Sequence, residues 1–201
     1  MLTEKQFELL VLLAENRKKI SQRQMAETLG CSLGTANKLL RRCTDDGYYD
    51  GIGITQKGLD ALEPYRVKRA IFIAAGFGAR LAPITLNTPK PLIRVGGRRM
   101  IDTMLDACEA AEIPEIYIVR GYLGEQFDQL LYKYPNIKFL ENPLFNESNN
   151  ISSAMCARFF FQNAYVMDAD LILKNPSLIR KYEYRSNLLG FPVERTDTHT
   201  F

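Results

Sequence analysis

The chain has 201 residues, 46% of them hydrophobic and 24% charged, which fits a folded globular protein with room for two cores, one small and one moderate, and argues against disorder. A formal charge of +3 is too mild to announce a nucleic-acid binder by itself, although a local basic patch is compatible with it. Cys31, Cys43, Cys108 and Cys156 form no CxxC pair and share the chain with a single histidine, which argues against zinc and for reduced thiols in a cytoplasmic setting. Glu4 and Glu8 stand where a secretory signal would be basic and then apolar, and no apolar run approaches the roughly 20 residues of a membrane span, so neither export nor membrane insertion is expected.

In chain order, residues 1–65 read as helices followed by a short hairpin. Thr3 is a good N-cap for an amphipathic helix carrying Phe7, Leu10, Val11, Leu13 and Ala14 at helical spacing. Ser21 with Gln24 predicts a capping box, with Met25, Ala26 and Leu29 facing inward and Gly30 as the stop. A further helix starts at Ser32, carries Ala36, Leu39, Leu40 and Cys43 on one face, and ends at Gly47. "YYDGIGIT" predicts a hairpin and "TQKGLDALEPY" a capped closing helix.

Two short helices joined by a tight glycine turn make a helix-turn-helix. On Ala26, Gly30, Ala36, Leu39 and "YYDGIGITQKGLDAL", the order resembles the winged-helix family. Two readings of residues 32–46 follow. In one, Ser32, Thr35, Asn37, Lys38, Arg41 and Arg42 enter a DNA major groove. In the other, they are the solvated face of a docking or dimerisation module. Asp45, Asp46 and Asp50 close behind the basic residues weaken the electrostatic case for DNA.

From Lys68 onward strands alternate with helices. "RAIFIAA", "EIYIVR", "IKFLEN", "AYVMDADLIL" and "NLLGFPVE" read as strands, and "MIDTMLDACEAAEI", "LGEQFDQLLYKY", "NNISSAMCARFFF" and "PSLIRKYEY" as helices. That alternation predicts an α/β domain over residues 66–201, with a mainly parallel sheet covered on both faces and the ligand at the carboxyl ends of the strands. The seam falls at Glu63 to Lys68.

The loop leaving the first of these strands, "AAGFGARLAPITLNTPKPL", spans Ala74 to Leu92. A glycine-rich turn after a strand bares backbone N–H groups, which suits phosphate oxygens. A Walker loop is excluded because GK[ST] is missing, and a dinucleotide fingerprint because Leu81 stands where its third glycine belongs. Arg80 adds a forked, permanent cation, and Pro89 and Pro91 restrict the backbone around Lys90 so that its ammonium is aimed. Two cations and a nest of amides suit a triphosphate.

The loop resembles the AAGxGxRLxPxTxxxPKxL signature of the sugar-phosphate nucleotidyltransferase superfamily, and "VGGRRMID" follows it as in that family. "IVRGYLGEQFDQL", "ENPLFNESNNISSAMCAR" and "YVMDADLIL" are similar to segments of the bacterial choline-phosphate cytidylyltransferases. The resemblance runs from about Lys68 to the last residue. It implies a Rossmann-like nucleotidyltransferase fold and transfer of CMP from CTP to phosphocholine, giving CDP-choline and pyrophosphate, with a sugar-1-phosphate nucleotidyltransferase as the nearest alternative. A winged-helix regulator with a nucleotidyltransferase-like sensor domain is the alternative from another class.

For the site, the resemblance implies that the loop from Ala74 through Ala75, Gly76, Phe77, Gly78 and Ala79 holds the nucleotide, with Arg80 on the leaving phosphates. Lys90 would then stand where charge develops, on the α-phosphate or the incoming phosphate. Asp170, with Asp168 beside it at the end of a buried strand, is the expected Mg2+ pair, since hard oxygen ligands suit that ion. Alternation is expected to put both on one face of the strand. Gly121, Tyr122, Asn149, Asn150 and Ser153 are candidates for the cytidine or acceptor pocket, and each is equally readable as a turn former, helix cap or core residue. Tyr182, Tyr184 and Phe191 are available as aromatic faces for a quaternary ammonium. Relatives of this kind carry more chain after this point, so an incomplete catalytic domain is expected.

Overall fold

The computed structural model describes residues 1–16, 20–147, 150–188 and 190. Local capping chemistry lays out the N-terminal unit. Helix α1 (Glu4–Glu15) opens with a full capping box between Thr3 and Gln6, and α2 (Gln22–Thr28) with another between Ser21 and Gln24. Helix α3 (Leu33–Asp45) starts at Ser32, whose side chain accepts from the Thr35 amide, and α4 (Gln56–Leu62) starts in the same way at Thr55. Gly30 and Gly47 end α2 and α3 with φ of +57° and +76°, the left-handed region that favours glycine.

The expected hairpin shrinks to one bridge between Tyr49 and Ile54. Its tip is taken over by Asp50, whose Oδ1 accepts from the Ile52 and Gly53 amides at 2.8 Å, so a local turn competes with ladder pairing. Phe7, Leu10, Val11, Met25, Cys43 and Leu62 close a small core under this frame.

The second unit is built on a parallel sheet with strand order β5-β4-β1-β6, comprising β1 (Arg69–Ile73), β4 (Glu115–Arg120), β5 (Ile137–Glu141) and β6 (Ala164–Asp168). Alternation sends Ala70 and Phe72 into the core on the side of α5 (Asp102–Ala110), and Ile71 into the core beneath α6 (Asn150–Ala157). Between β1 and α5 lies a hairpin of β2 (Arg94–Val95) and β3 (Arg98–Arg99), turned by Gly96 and Gly97 at φ +59° and +83°.

Four expectations change. The segment Gly124–Tyr132 is a 3-10 helix, where an α-helix was expected. Arg120 Nη1 takes the Gly124 carbonyl at 3.1 Å, and an α-helix would need that acceptor for the Asp128 amide. Strand β6 stops at Asp168, because the Ala169 amide makes the last ladder bond, to Ile73 O, and β1 then leaves the sheet as the loop and offers no further partner. Only Pro176–Leu178 of the expected helix at 176–184 forms, as a single 3-10 turn. Asn187, Leu188 and Gly190 form no strand, and the rest of that expected strand lies outside the described residues.

Residues 180–185 instead run as a strap across the N-terminal unit. Tyr182 bridges to Arg66, the Val67 amide bonds Lys181 O, and the Glu183 amide bonds Tyr65 O. Tyr182 is buried in the N-terminal core, while Tyr184 stacks on Tyr65 at 5.5 Å and sends its hydroxyl to Leu2 O. Arg180 meets Glu8 through both guanidinium nitrogens, at 2.9 and 3.2 Å.

Because the N-terminal core closes over a side chain from the far end of the chain, the two units are expected to unfold in one step. Tyr182→Ala should cost about 3 kcal/mol in urea melts and keep a single transition. Two separate transitions in the unaltered protein, or an unchanged midpoint in the variant, would contradict this.

Candidate active site

The loop that leaves β1 is shaped from within. Gly78 adopts φ +64°, and a Cβ there would lie 3.0 Å from Thr85 Cγ2 and 3.1 Å from Lys90 Cβ, so the turn has no room for a side chain. The buried Thr85 donates its hydroxyl to Gly78 O at 3.0 Å, drawing the two limbs together. The Ala74 amide is committed to Val119 O at 2.8 Å and is not available to a ligand. Among the described residues, the amides from Ala75 to Arg80 donate to no protein acceptor, which leaves a run of N–H groups for an anion.

This loop forms one wall of a cavity of about 350 Å³. Gly76, Gly78, Ala79 and Arg80 line it from the loop, together with Lys90, and Asn150, Asp168 and Asp170 line it from the other side. The parallel pairing of β1 with β6 sets Ile73 opposite Asp168, so the loop and the carboxylates leave the sheet at the same edge. Lys90, in a short 3-10 turn between buried Pro89 and Pro91, reaches Asp170 Oδ2 at 2.5 Å. Asn150 Nδ2 lies 3.4 Å from Asp168 Oδ1. Asp170 itself sits beyond the strand end, so the turn brings the two carboxylates to one cavity, and strand alternation does not.

Charge in the cavity is unevenly compensated. Asp168 is exposed at the strand end, with part of its hydration taken by the cavity wall. That partial desolvation, and then the neighbouring Asp170 carboxylate, raises its pKa above the ordinary 3.8, while Lys90 pulls the other way. Among the described residues no group of three or more His, Cys, Asp or Glu side chains gathers as a metal cage. Two carboxylates are still a fitting donor set for magnesium, which commonly binds through one or two carboxylates plus substrate phosphates and keeps several waters.

Several expected residues lie elsewhere. Phe77 turns away from the cavity and packs on Tyr122 and Phe145, with ring centres 4.9 and 5.4 Å apart. Tyr122 and Gly121 are outside the cavity lining: the Tyr122 hydroxyl bonds Leu86 O, and Gly121 is pressed against Phe145. Ser153 is buried and accepts from Asn142 Nδ2 at 3.0 Å, so it braces the start of α6. Asn149 and Phe191 lie outside the described residues. Tyr182 and Tyr184 serve the N-terminal core and form no cage at the cavity. Asn142, which fixes Ser152 and Ser153 and thereby the helix bearing Asn150, was not among the candidates, since its contacts appear only once β5 and α6 are adjacent.

An open α/β sheet whose first loop offers bare amides and two cations, opposite a carboxylate pair, is chemically suited to phosphate oxygens. The chain belongs to the nucleotidyl transferase family, whose model matches residues 69–190, and residues 2–48 match a winged helix-turn-helix family described as DNA-binding. It is 40% identical over 123 residues to a 2-aminoethylphosphonate cytidylyltransferase of Lancefieldella rimae, covering 60% of this chain and 50% of that one. It is 38% identical over 130 residues to a choline-phosphate cytidylyltransferase of Haemophilus influenzae, covering 65% and 54%. A CTP:phosphoglutamine cytidylyltransferase of Campylobacter jejuni is 33% identical over 110 residues, with 55% and 44% covered. Among solved structures, the CTP:phosphocholine cytidylyltransferase of Streptococcus pneumoniae superposes with a TM-score of 0.54 at 39% identity, covering 58% of this chain and 50% of that one. The chain spans about half the length of the curated relatives it matches.

The raised pKa of Asp168 has a stability consequence with a definite sign. Between pH 3.8 and its higher folded value, the folded state holds a proton that the unfolded state has released, so ionising this group costs stability as pH rises, and the cost is complete once pH passes the folded value. Asp168→Asn should therefore raise the thermal midpoint at pH 7, with the gain vanishing below about pH 3.8. A midpoint at pH 7 equal to or below that of the unaltered protein would count against this electrostatic picture.

Proposed function

We propose that this chain carries the nucleotide-binding part of a cytidylyltransferase that moves CMP from CTP to a small acceptor bearing a phosphate or phosphonate, with phosphocholine as the first candidate and pyrophosphate as the leaving group. The observation that supports this best is the convergence of the loop amides, Arg80, Lys90 and the Asp168–Asp170 pair on one cavity. The cytidylyltransferases that the chain resembles favour cytidine as the base and span phosphocholine, aminoethylphosphonate and phosphoglutamine as acceptors. A sugar-1-phosphate acceptor is the competing choice within the same chemistry.

The acceptor phosphate attacks the α-phosphorus in line as the bond to the β-phosphate oxygen breaks. A phosphate with a second pKa of about 6 is already largely ionised near neutral pH, so no general base is needed. The residues have to position the two phosphates and offset the charge that develops between them. Amides of the Gly76–Ala79 turn would hold the triphosphate and Arg80 the leaving pyrophosphate. Lys90, released from Asp170, would face the α-phosphate. Magnesium, when held by Asp168 and Asp170, would add positive charge against the phosphates.

Pyrophosphate release with magnesium, testing CTP, UTP, dTTP, ATP and GTP against phosphocholine, 2-aminoethylphosphonate and sugar-1-phosphates, is the direct test. Release confined to CTP with phosphocholine or another ammonium-bearing acceptor is expected, and Lys90→Ala should lower it by roughly 10²–10³-fold. Release with sugar phosphates alone would overturn the acceptor class, and no release with any pair together with no binding of CTP would overturn the reading.

A second reading, DNA docking by residues 32–46, is favoured by the exposure of Asn37, Lys38, Arg41 and Arg42 along α3, a face that the strap leaves open. It requires duplex binding that weakens steeply with salt and is lost in Arg41→Ala/Arg42→Ala. Binding that ignores both salt and the double substitution would remove it.

A further inference from the structure

The long loop of the site is held by remarkably little of the protein's interior along its outer limb, where Ile84, Leu86 and Asn87 are exposed. Two hydrogen bonds tie this limb to the body of the domain: the Tyr122 hydroxyl donates to Leu86 O at 3.1 Å, and Gln126 Nε2 donates to Asn87 O at 2.9 Å. The inner limb is held from the same place. The Tyr122 amide donates to Ala75 O at 3.1 Å, and the Tyr122 ring lies against Phe77. One short turn, residues 121–126, therefore grips both sides of the loop that lines the cavity.

Two backbone bonds close that turn, from the Gly124 amide to Gly121 O and from the Gln126 amide to Leu123 O, both at 3.0 Å, yet its geometry is strained. Leu123 has φ +48°, a backbone region that residues with side chains rarely occupy, so the surroundings must fix it. Gly121 is seated so closely that an added Cβ would lie 2.6 Å from Phe145 Cβ. The fixing group is Arg120, at the carboxyl end of β4. Its Nη1 donates to Gly124 O at 3.1 Å and to Asp128 Oδ1 at 2.5 Å, its Nε donates to Glu141 Oε1 at 2.6 Å, and its guanidinium lies over the Phe139 ring at 4.1 Å. A planar fork satisfies these directions together, which the single ammonium of a lysine cannot do.

We infer that Arg120 is a positioning residue of the nucleotidyl-transfer site: it locks the Gly121–Gln126 turn, and the turn, through Tyr122 and Gln126, sets where the phosphate loop stands. Tyr122 then acts on the loop from behind and does not contact the nucleotide. The inference rests on the reading that this loop binds the nucleoside triphosphate.

The test uses the full chain and three variants, Tyr122→Phe, Arg120→Lys and Arg120→Ala. Tyr122→Phe keeps the ring and removes the bond to Leu86, and Arg120→Lys keeps the charge and removes the fork, so both remain informative if Arg120→Ala fails to fold. Hydrogen exchange at the amides of residues 84–87 should quicken in both conservative variants. The KM for CTP should rise about tenfold while kcat stays within about threefold, because binding shared by ground and transition states is what loosens. A merely structural role would lower the thermal midpoint and leave KM unchanged, and that result in both conservative variants overturns the inference. Calorimetric titration of the unaltered protein with CTP separates the two levels. Absence of both binding and pyrophosphate release ends the nucleotide reading and the inference together. Binding that the variants match leaves the nucleotide reading standing and removes the inference alone.

Discussion

The parallel register between β1 and β6 is the constraint on which the site depends. Ile73 stands opposite Asp168, so the strand that launches the glycine loop and the strand that ends in the carboxylates finish at one level of the sheet. Parallel neighbours cannot be joined by a tight turn, and between β1 and β6 the chain first lays down β4 and β5 on the other side of β1 before α6 brings it back. A slip of one residue would send Asp168 to the opposite face of the strand and leave Lys90 without Asp170 in reach. The 2.5 Å contact between these two side chains, 80 positions apart, is the topological consequence of the pairing and not a local motif.

The contact also sets opposite charges side by side in the cavity. Lys90 and Asp170 are each about one-third exposed, so their attraction is partly screened and contributes only modestly to stability. Its significance lies in placement. The ammonium lies beside the carboxylate pair, and under the proposed function a phosphate entering between them would offer Lys90 a stronger partner and would free Asp170 for a cation. Asp168, which has no such cation of its own and is shifted toward protonation, is the member whose charge is least compensated.

What was legible in the sequence follows the range of the interactions involved. Thr3, Ser21, Ser32 and Thr55 could be read as helix starts because a cap bond spans three residues and its partners are in view. Gly78 and Lys90 could be read because the loop's chemistry is written in its own residues. Tyr122 and Ser153 could not. Each sits in a motif beside the site, yet its partners, Leu86 and Asn142, come from other segments, and those contacts turn the side chain away from the cavity. The 3-10 geometry of Gly124–Tyr132 was hidden for the same reason, since helical periodicity carries no trace of an Arg120 side chain competing for a carbonyl. Tyr182 was the furthest from reach: an aromatic residue near the far end of the chain fills the core of the first unit.

That last placement bears on how the two units can work together. The Arg180–Glu8 pair is partly exposed and a weak fastening alone. Burial of Tyr182 and the stack of Tyr184 on Tyr65 supply the apolar contact that makes the join stiff. The strap also reaches back toward the cavity, because Tyr165 of β6, three residues before Asp168, bonds Glu183 and the Arg180 amide. The winged helix is thus anchored to the strand that carries the carboxylate, while the basic positions of α3 stay exposed. Under the proposed function, a partner on α3 and a nucleotide at Asp168 would load the same continuous body, so if each discriminates between two positions of the strap, each must change the other's affinity by the same factor.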